Sequence, residues 1–161
     1  MAKVCTLDQL LKALQEARTR QQQVVFTNGC FDLLHVGHLR TLEWARRQGD
    51  LLVVGLNSDS SVRLLKGDRR PLTPQQDRAE LLAGFECVDY VVIFEEQTPL
   101  ALLEQIRPEI HVKGGDYRPE DLPEAPLILS YGGRVLVTPL IEGRSTTRLE
   151  NLLDEDSDHG Q

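Results

Sequence analysis

At 161 residues, with eight prolines and twelve glycines at punctuation points rather than in low-complexity tracts, the chain suits one domain with a core that needs no staples. A formal charge of −7 without a basic stripe argues against a general nucleic-acid surface, and Cys5, Cys30 and Cys87, an odd number lacking CxxC spacing, argue against a disulfide framework or zinc cluster. Apolar runs far short of the ~20 residues of a membrane span, and no charged-then-apolar start, predict a soluble cytoplasmic protein with reduced thiols.

Thr6 and Gln9 form a capping box ahead of Leu7, Leu10, Leu11 and Leu14, predicting a first helix to about Arg20 that packs on the sheet; residues 1–22 are assigned to it. Val24, Val25 and Phe26 read as a short interior strand, ended by the turn chemistry of Thr27, Asn28 and Gly29. His35, Gly37 and His38 then open an apolar-periodic helix running to Gln48. Residues 51–57, LLVVGLN, are apolar throughout, as in a parallel strand buried on both faces.

Ser58 or Asp59 is expected to cap a short helix ending at Lys66-Gly67, and the basic, irregular KGDRRPLT has the profile of a mobile loop over a site. Thr73-Pro74 with Gln76 predicts a capped helix finishing near Glu86, followed by a strand over 88–94. Thr98-Pro99 repeats that device before a helix ending at Arg107-Pro108. A strand from Ile110 to Lys113, a proline-punctuated stretch with a short helix ending at Gly132-Gly133, a strand from Arg134 and a final helix capped by Ser145 complete the reading. Residues 1–153 form the expected single domain, and 154–161 an acidic, frayed tail.

Strands alternating with helices predict an α/β fold, a Rossmann-like three-layer sandwich around a parallel five-stranded sheet. In such sheets the ligand lies beyond the carboxyl ends of the strands. The loop after the first strand, the Asn57 end of the second, Gly114-Gly115 and the Ser145 helix start should therefore meet in one crevice.

Within that frame, residues 24–38, VVFTNGCFDLLHVGH, combine a strand, a loop and a helix start, where unpaired N–H groups and the positive dipole end attract phosphate. Residues three apart lie on one helical face, so His35 and His38 can reach the same anion, and Gly37 has no side chain to hold it off. Alone, HxGH also suits a surface histidine pair that caps a helix. In its context the stretch resembles the signature of the nucleotidyltransferase superfamily of cytidylyltransferase-like enzymes. With VGLNSDSSVRLLKG (54–67), HVKGGDY (111–117) and RSTT (144–147), the likeness runs from about Val24 to Leu149 and is nearest the heptose-1-phosphate adenylyltransferase branch.

This resemblance implies roles for individual residues. His35 and His38 would donate hydrogen bonds to the triphosphate and leaving pyrophosphate, with Lys66 reaching the reacting phosphates; by itself Lys66 also reads as a solvated loop charge. Thr27, Asn28, Gly29, Cys30, Phe31 and Gly37 would lie against the nucleotide. Lys113, Gly114 and Asp116 would line the base and ribose pocket, with a flat base resting on Gly114-Gly115. Ser145, Thr146 and Thr147 would take the phosphate tail, with Arg144 or Arg148 adding a contact; read alone, RSTT is an N-cap. Arg78 would stand near the incoming substrate, although a solvated i,i+4 partner fits it too. Asp32 and Asn57 would face the substrate side, Asp32 chiefly by fixing its loop through backbone hydrogen bonds with a metal role as the weaker option. His111, inside a strand, reads as structural.

The implied reaction joins ATP, with Mg2+, to a sugar 1-phosphate, D-glycero-β-D-manno-heptose 1-phosphate, giving ADP-heptose and pyrophosphate for lipopolysaccharide or related glycans. A separate kinase would supply the sugar phosphate, and a homodimer is expected from the resemblance. A cytidylyl- or guanylyltransferase acting on glycerol 3-phosphate or another phosphorylated alcohol is the alternative. A nucleotide-sensing module without turnover has no need of groups aimed at pyrophosphate. A dinucleotide-dependent dehydrogenase fails because no GxGxxG follows the first strand, and a class I aminoacyl-tRNA synthetase because the chain is too short and acidic.

Overall fold

The structure is a computed structural model that describes residues 2–115 and 117–139. Asp116, Arg144, the Ser145-Thr146-Thr147 helix start, Arg148 and the acidic tail lie outside the described residues.

Five parallel strands form one sheet in the order β3-β2-β1-β4-β5, where β1 is Val24–Gly29, β2 Leu51–Asn57, β3 Tyr90–Phe94, β4 Ile110–Lys113 and β5 Arg134–Val137. Alternate side chains leave the sheet in opposite directions, so the continuous apolar strands feed two cores. Val25, Leu52, Val54 and Val112 pack with Leu42 and Ala45 of α2 (Val36–Arg46) and with Ala79 and Leu82 of α4 (Gln75–Ala83). Val24, Phe26, Val53 and Val92 pack with Leu10 and Leu14 of α1 (Leu7–Thr19), with Leu103 and Ile106 of α5 (Leu100–Ile106) and with Ile128 of α6 (Ala125–Ser130). Helices thus cover both faces, the expected Rossmann-like sandwich, with α3 (Asp59–Lys66) beyond the end of β2.

The Thr6–Gln9 capping box is present in both directions, and Ser58 Oγ accepts from Ser61 N–H at the start of α3. Several boundaries differ from expectation. β1 does not turn at Thr27: it runs to Gly29, because Thr27, Asn28 and Gly29 find register partners in Val54, Gly55 and Leu56. Neither Thr73 nor Thr98 caps a helix. Pro74 and Pro99 occupy the cap position, and their carbonyls accept the first helical bonds from Arg78 and Leu103. α2 stops at Arg46, α4 at Ala83, and β3 starts only at Tyr90. The outer edge of β3 is covered by a bridge from Val4 to Val91, with Cys5 N–H donating to the Val91 carbonyl and Val91 N–H to that of Lys3.

Successive strands step outward from β1 through β2 to β3, and the chain then returns to build β4 and β5 on the other side of β1. The reversal falls between β1 and β4, where ligands of open α/β sheets bind. Here the ladder is short. β1 and β4 pair only at Val25–Ile110 and Phe26–His111, although both strands continue, so they part toward their carboxyl ends.

Candidate active site

α2 follows the loop that leaves β1, its Thr41 lies against Gly114 at the exit of β4, and two histidines open it. His35 is the N-cap of α2 and His38 its third residue; their ring centroids are 4.1 Å apart and tilted by 38°. His35 Nδ1 accepts from Gly37 N–H at 3.0 Å, and His38 Nδ1 accepts from His35 N–H at 3.2 Å. The pair therefore replaces the usual hydroxyl and carboxylate of a capping box. Capping and anion binding are not rival readings here: with Nδ1 committed to the backbone, each neutral imidazole carries its proton on Nε2.

His38 is held low, at about 4, by burial first, then by the neighbouring His35 and the charge of Lys66. It is neutral near pH 7, a hydrogen-bond donor rather than a cation. Lys66 ends α3 as an exposed side chain, and its influence on His38 ties the two elements electrostatically. Phe31 enters the left-handed region at φ 48 and sets its ring edge-on to His38, 5.4 Å between centroids. Gly29 makes room for it, since a Cβ there would lie 3.1 Å from the Phe31 ring.

Asp32 is 2 % exposed, and its carboxylate is engaged by the protein itself. It accepts from Leu72 N–H at 2.8 Å and from Thr73 N–H at 3.0 Å, and Arg70 Nη1 lies 3.6 Å away as an ion pair. This is the loop-fixing role expected of Asp32. It also means that the basic stretch expected to be mobile is pinned at its far end to the histidine loop. Arg78, expected near the incoming substrate or on a solvated surface, is not on the surface: it is fully buried, bonded to Cys30, Asn57, Asp59 and Thr73. Asn57 is likewise turned inward, its Nδ2 donating to Ser61 Oγ at 2.9 Å.

Across the crevice, Lys113 closes β4 with its Nζ 5.8 Å from the Tyr117 ring centroid. Gly114 and Gly115 differ in what a side chain there would meet. A Cβ on Gly114 would sit 3.3 Å from Thr41 Cγ2 and 3.5 Å from Thr138 Oγ1, whereas Gly115 has φ 114. Thr41 and Thr138, which flank this rim, had no motif to announce them, but Thr41 follows His38 by three residues on one helical face. Asn28 Oδ1 at the exit of β1 is buried and has no hydrogen-bond partner among the described residues.

Among the described residues no cluster of three or more His, Cys, Asp or Glu could hold a metal ion, and no helix is long and apolar enough to cross a membrane. Asp32, the one carboxylate in the histidine loop, is engaged by the Leu72 and Thr73 N–H groups and faces Arg70.

The cytidylyltransferase-like family model matches residues 26–137, from β1 to β5. The chain is 55% identical over 154 residues to the bifunctional protein HldE of Syntrophotalea carbinolica, covering 95% of this chain and 31% of that protein. It is 51% identical over 154 residues to the HldE of Geobacter metallireducens, covering 96% and 31%. It thus spans about a third of the length of these curated relatives. Among solved structures, a lipopolysaccharide core biosynthesis protein from Thermoplasma volcanium GSS1 superposes with a TM-score of 0.64 at 26% identity, over 75% of this chain and 99% of that one. A pantoate-beta-alanine ligase from Francisella tularensis shares the fold, with a TM-score of 0.61 at 13% identity over 94% of this chain and 73% of the other. The match over most of the chain, on a five-stranded parallel sheet of the expected kind, establishes that this chain belongs to the cytidylyltransferase-like family of nucleotidyltransferases.

Proposed function

We propose that the chain transfers AMP from ATP, as its magnesium complex, to D-glycero-β-D-manno-heptose 1-phosphate. An oxygen of the sugar phosphate attacks the α-phosphorus, the bond from that phosphorus to the bridging oxygen breaks, and pyrophosphate leaves with the electron pair, giving ADP-heptose. The observation that carries the reading is the His35–His38 pair: two rings with centroids 4.1 Å apart at the start of α2, each with its Nδ1 accepting from a backbone N–H. Such a transfer needs little covalent help, only donors and cations fixed where charge develops. His35 and His38 steady the triphosphate and the departing pyrophosphate, and Lys66 adds charge beside them. The magnesium ion travels on phosphate oxygens and water.

In the same reading Thr27, Asn28, Gly29, Cys30, Phe31 and Gly37 border the nucleotide, and Lys113, Gly114 and Asp116 border the base and ribose. Arg144, Ser145, Thr146 and Thr147 take the phosphate tail. The heptose assignment draws on the motif resemblance together with the HldE relatives. A kinase must supply the sugar 1-phosphate, the product serves lipopolysaccharide or related glycans, and the protein works as a homodimer in the cytoplasm, a state that sedimentation tests.

Pyrophosphate release is to be measured with each of the four nucleoside triphosphates against a panel of sugar and polyol phosphates. Turnover with ATP and the heptose phosphate is expected; turnover with CTP or GTP and glycerol 3-phosphate would replace it by the cytidylyl or guanylyl reading. His38→Ala should lower kcat by about a hundredfold or more, the loss of about 3 kcal/mol of barrier stabilisation. Full activity in that variant would refute the mechanism.

A further inference from the structure

Arg78 heads the fully buried side chains by size, and a guanidinium is an expensive group to bury. Its Nε donates to the Thr73 carbonyl at 2.8 Å, and Nη1 to the carbonyls of Cys30 at 2.6 Å and Asn57 at 2.8 Å. Nη2 pairs with Asp59 Oδ1 at 2.8 Å, the only carboxylate among the four acceptors and itself 29% exposed. The acceptors lie on four separate segments: the exit of β1, the exit of β2, the first turn of α3 and the stretch that enters α4.

These bonds close a circuit with Asp32. Thr73 N–H donates to Asp32, and the Thr73 carbonyl accepts from Arg78, which also holds the carbonyl of Cys30 two residues before Asp32. The far end of the basic loop is therefore fastened twice to the segment that leads into His35. Lys66 lies at the near end of the same loop, on the helix whose first turn Asp59 supplies. A planar fork serves three diverging carbonyls at once; an ammonium on a flexible stem does not.

We propose that Arg78 is a positioning residue for the crevice: it spaces the exits of β1 and β2 and the base of loop 67–73 so that His35, His38 and Lys66 address one polyphosphate. Its part in turnover rests on the nucleotidyl-transfer reading. The geometry of the brace does not.

Three variants are to be compared at matched folded fraction, judged by thermal unfolding. Arg78→Lys keeps the charge and loses the fork; kcat should fall by about a hundredfold, as for a misplacement near 1 Å, with the KM for ATP close to wild type. Asp59→Asn keeps the three carbonyl bonds and should retain most of the turnover. Arg78→Ala should regain activity on addition of millimolar guanidinium, with no such response to sodium. A lysine variant whose folded fraction turns over like wild type, an Asp59→Asn loss as large as that of Arg78→Lys, or failure of guanidinium to rescue would each overturn the proposal.

If the wild type itself releases no pyrophosphate, the functional reading fails and the brace is tested without substrate. Amide exchange at Leu72 and Thr73 should then speed up in Arg78→Lys, while Val53 and Val54 in the central strand β2 exchange as in the wild type. Unchanged exchange at Leu72 and Thr73 would overturn it.

Discussion

Burial, the His35 ring and the Lys66 charge act on His38 in the same direction, so the ligand-free protein should titrate this ring near about 4. Added pyrophosphate should raise the midpoint, because an adjacent anion favours the imidazolium; histidine ring resonances followed by NMR check both statements. His111 is held low as well, at about 4, mainly by burial, but for the opposite purpose. Its ring is fully buried against Phe26, 5.7 Å between centroids, and neither nitrogen has a hydrogen-bond partner. The unfolded chain binds that proton first as pH falls below the ordinary 6.5, so this contribution is complete above 6.5 and is lost toward about 4. The linkage amounts to about 3 kcal/mol. His111→Leu should match or exceed wild-type stability near neutral pH and flatten the acid side, as read by urea unfolding at a series of pH values. The structural reading of His111 needed only its place in an apolar strand. The burial of Arg78 was also within reach of periodicity, since Arg78 stands next to Ala79 and one turn from Leu82, both core residues, whereas Leu81 is 54% exposed. What the pattern could not show was which carbonyls would gather around the guanidinium.

Elements defined by local chemistry alone were legible: the Thr6–Gln9 box starts α1, and the apolar run 51–57 is β2 in full. Elements set by long-range partners were not. β1 is extended through turn-forming residues because β2 lies alongside, and Thr73 does not cap α4 because its N–H and carbonyl go to Asp32 and Arg78. The loop across 67–73 has the composition of a disordered segment, yet Asp32, forty residues before Leu72, anchors it. Asp32→Ala should therefore convert this stretch into what its composition suggests. Trypsin should cut after Arg69 faster than in the wild type, the Arg70–Pro71 bond being resistant, while the circular dichroism of the helices stays unchanged. Equal cleavage rates would remove Asp32 from its anchoring role.

For the whole molecule, alternating strands and helices with apolar strands throughout implied a parallel sheet covered on both faces, and the two cores on either side of it have that form. Strand order is another matter: periodicity carries no record of where the chain reverses, so the place of β1 between β2 and β4 appears only in three dimensions. That reversal leaves the sheet a seam stitched at its lower end alone, by Val25–Ile110 and Phe26–His111. Three strands lie on one side of the seam and two on the other, and above the last stitch β1 and β4 no longer pair with each other. A nucleotide lying there would act as mortar between two courses of the same wall. Saturating ATP should raise the unfolding free energy by about 2.7 kcal/mol at roughly a hundred times Kd, a shift that calorimetry detects without any turnover. The gain should be seen in slower amide exchange of β4 and β5 more than of β3, which β1 and β2 separate from the seam.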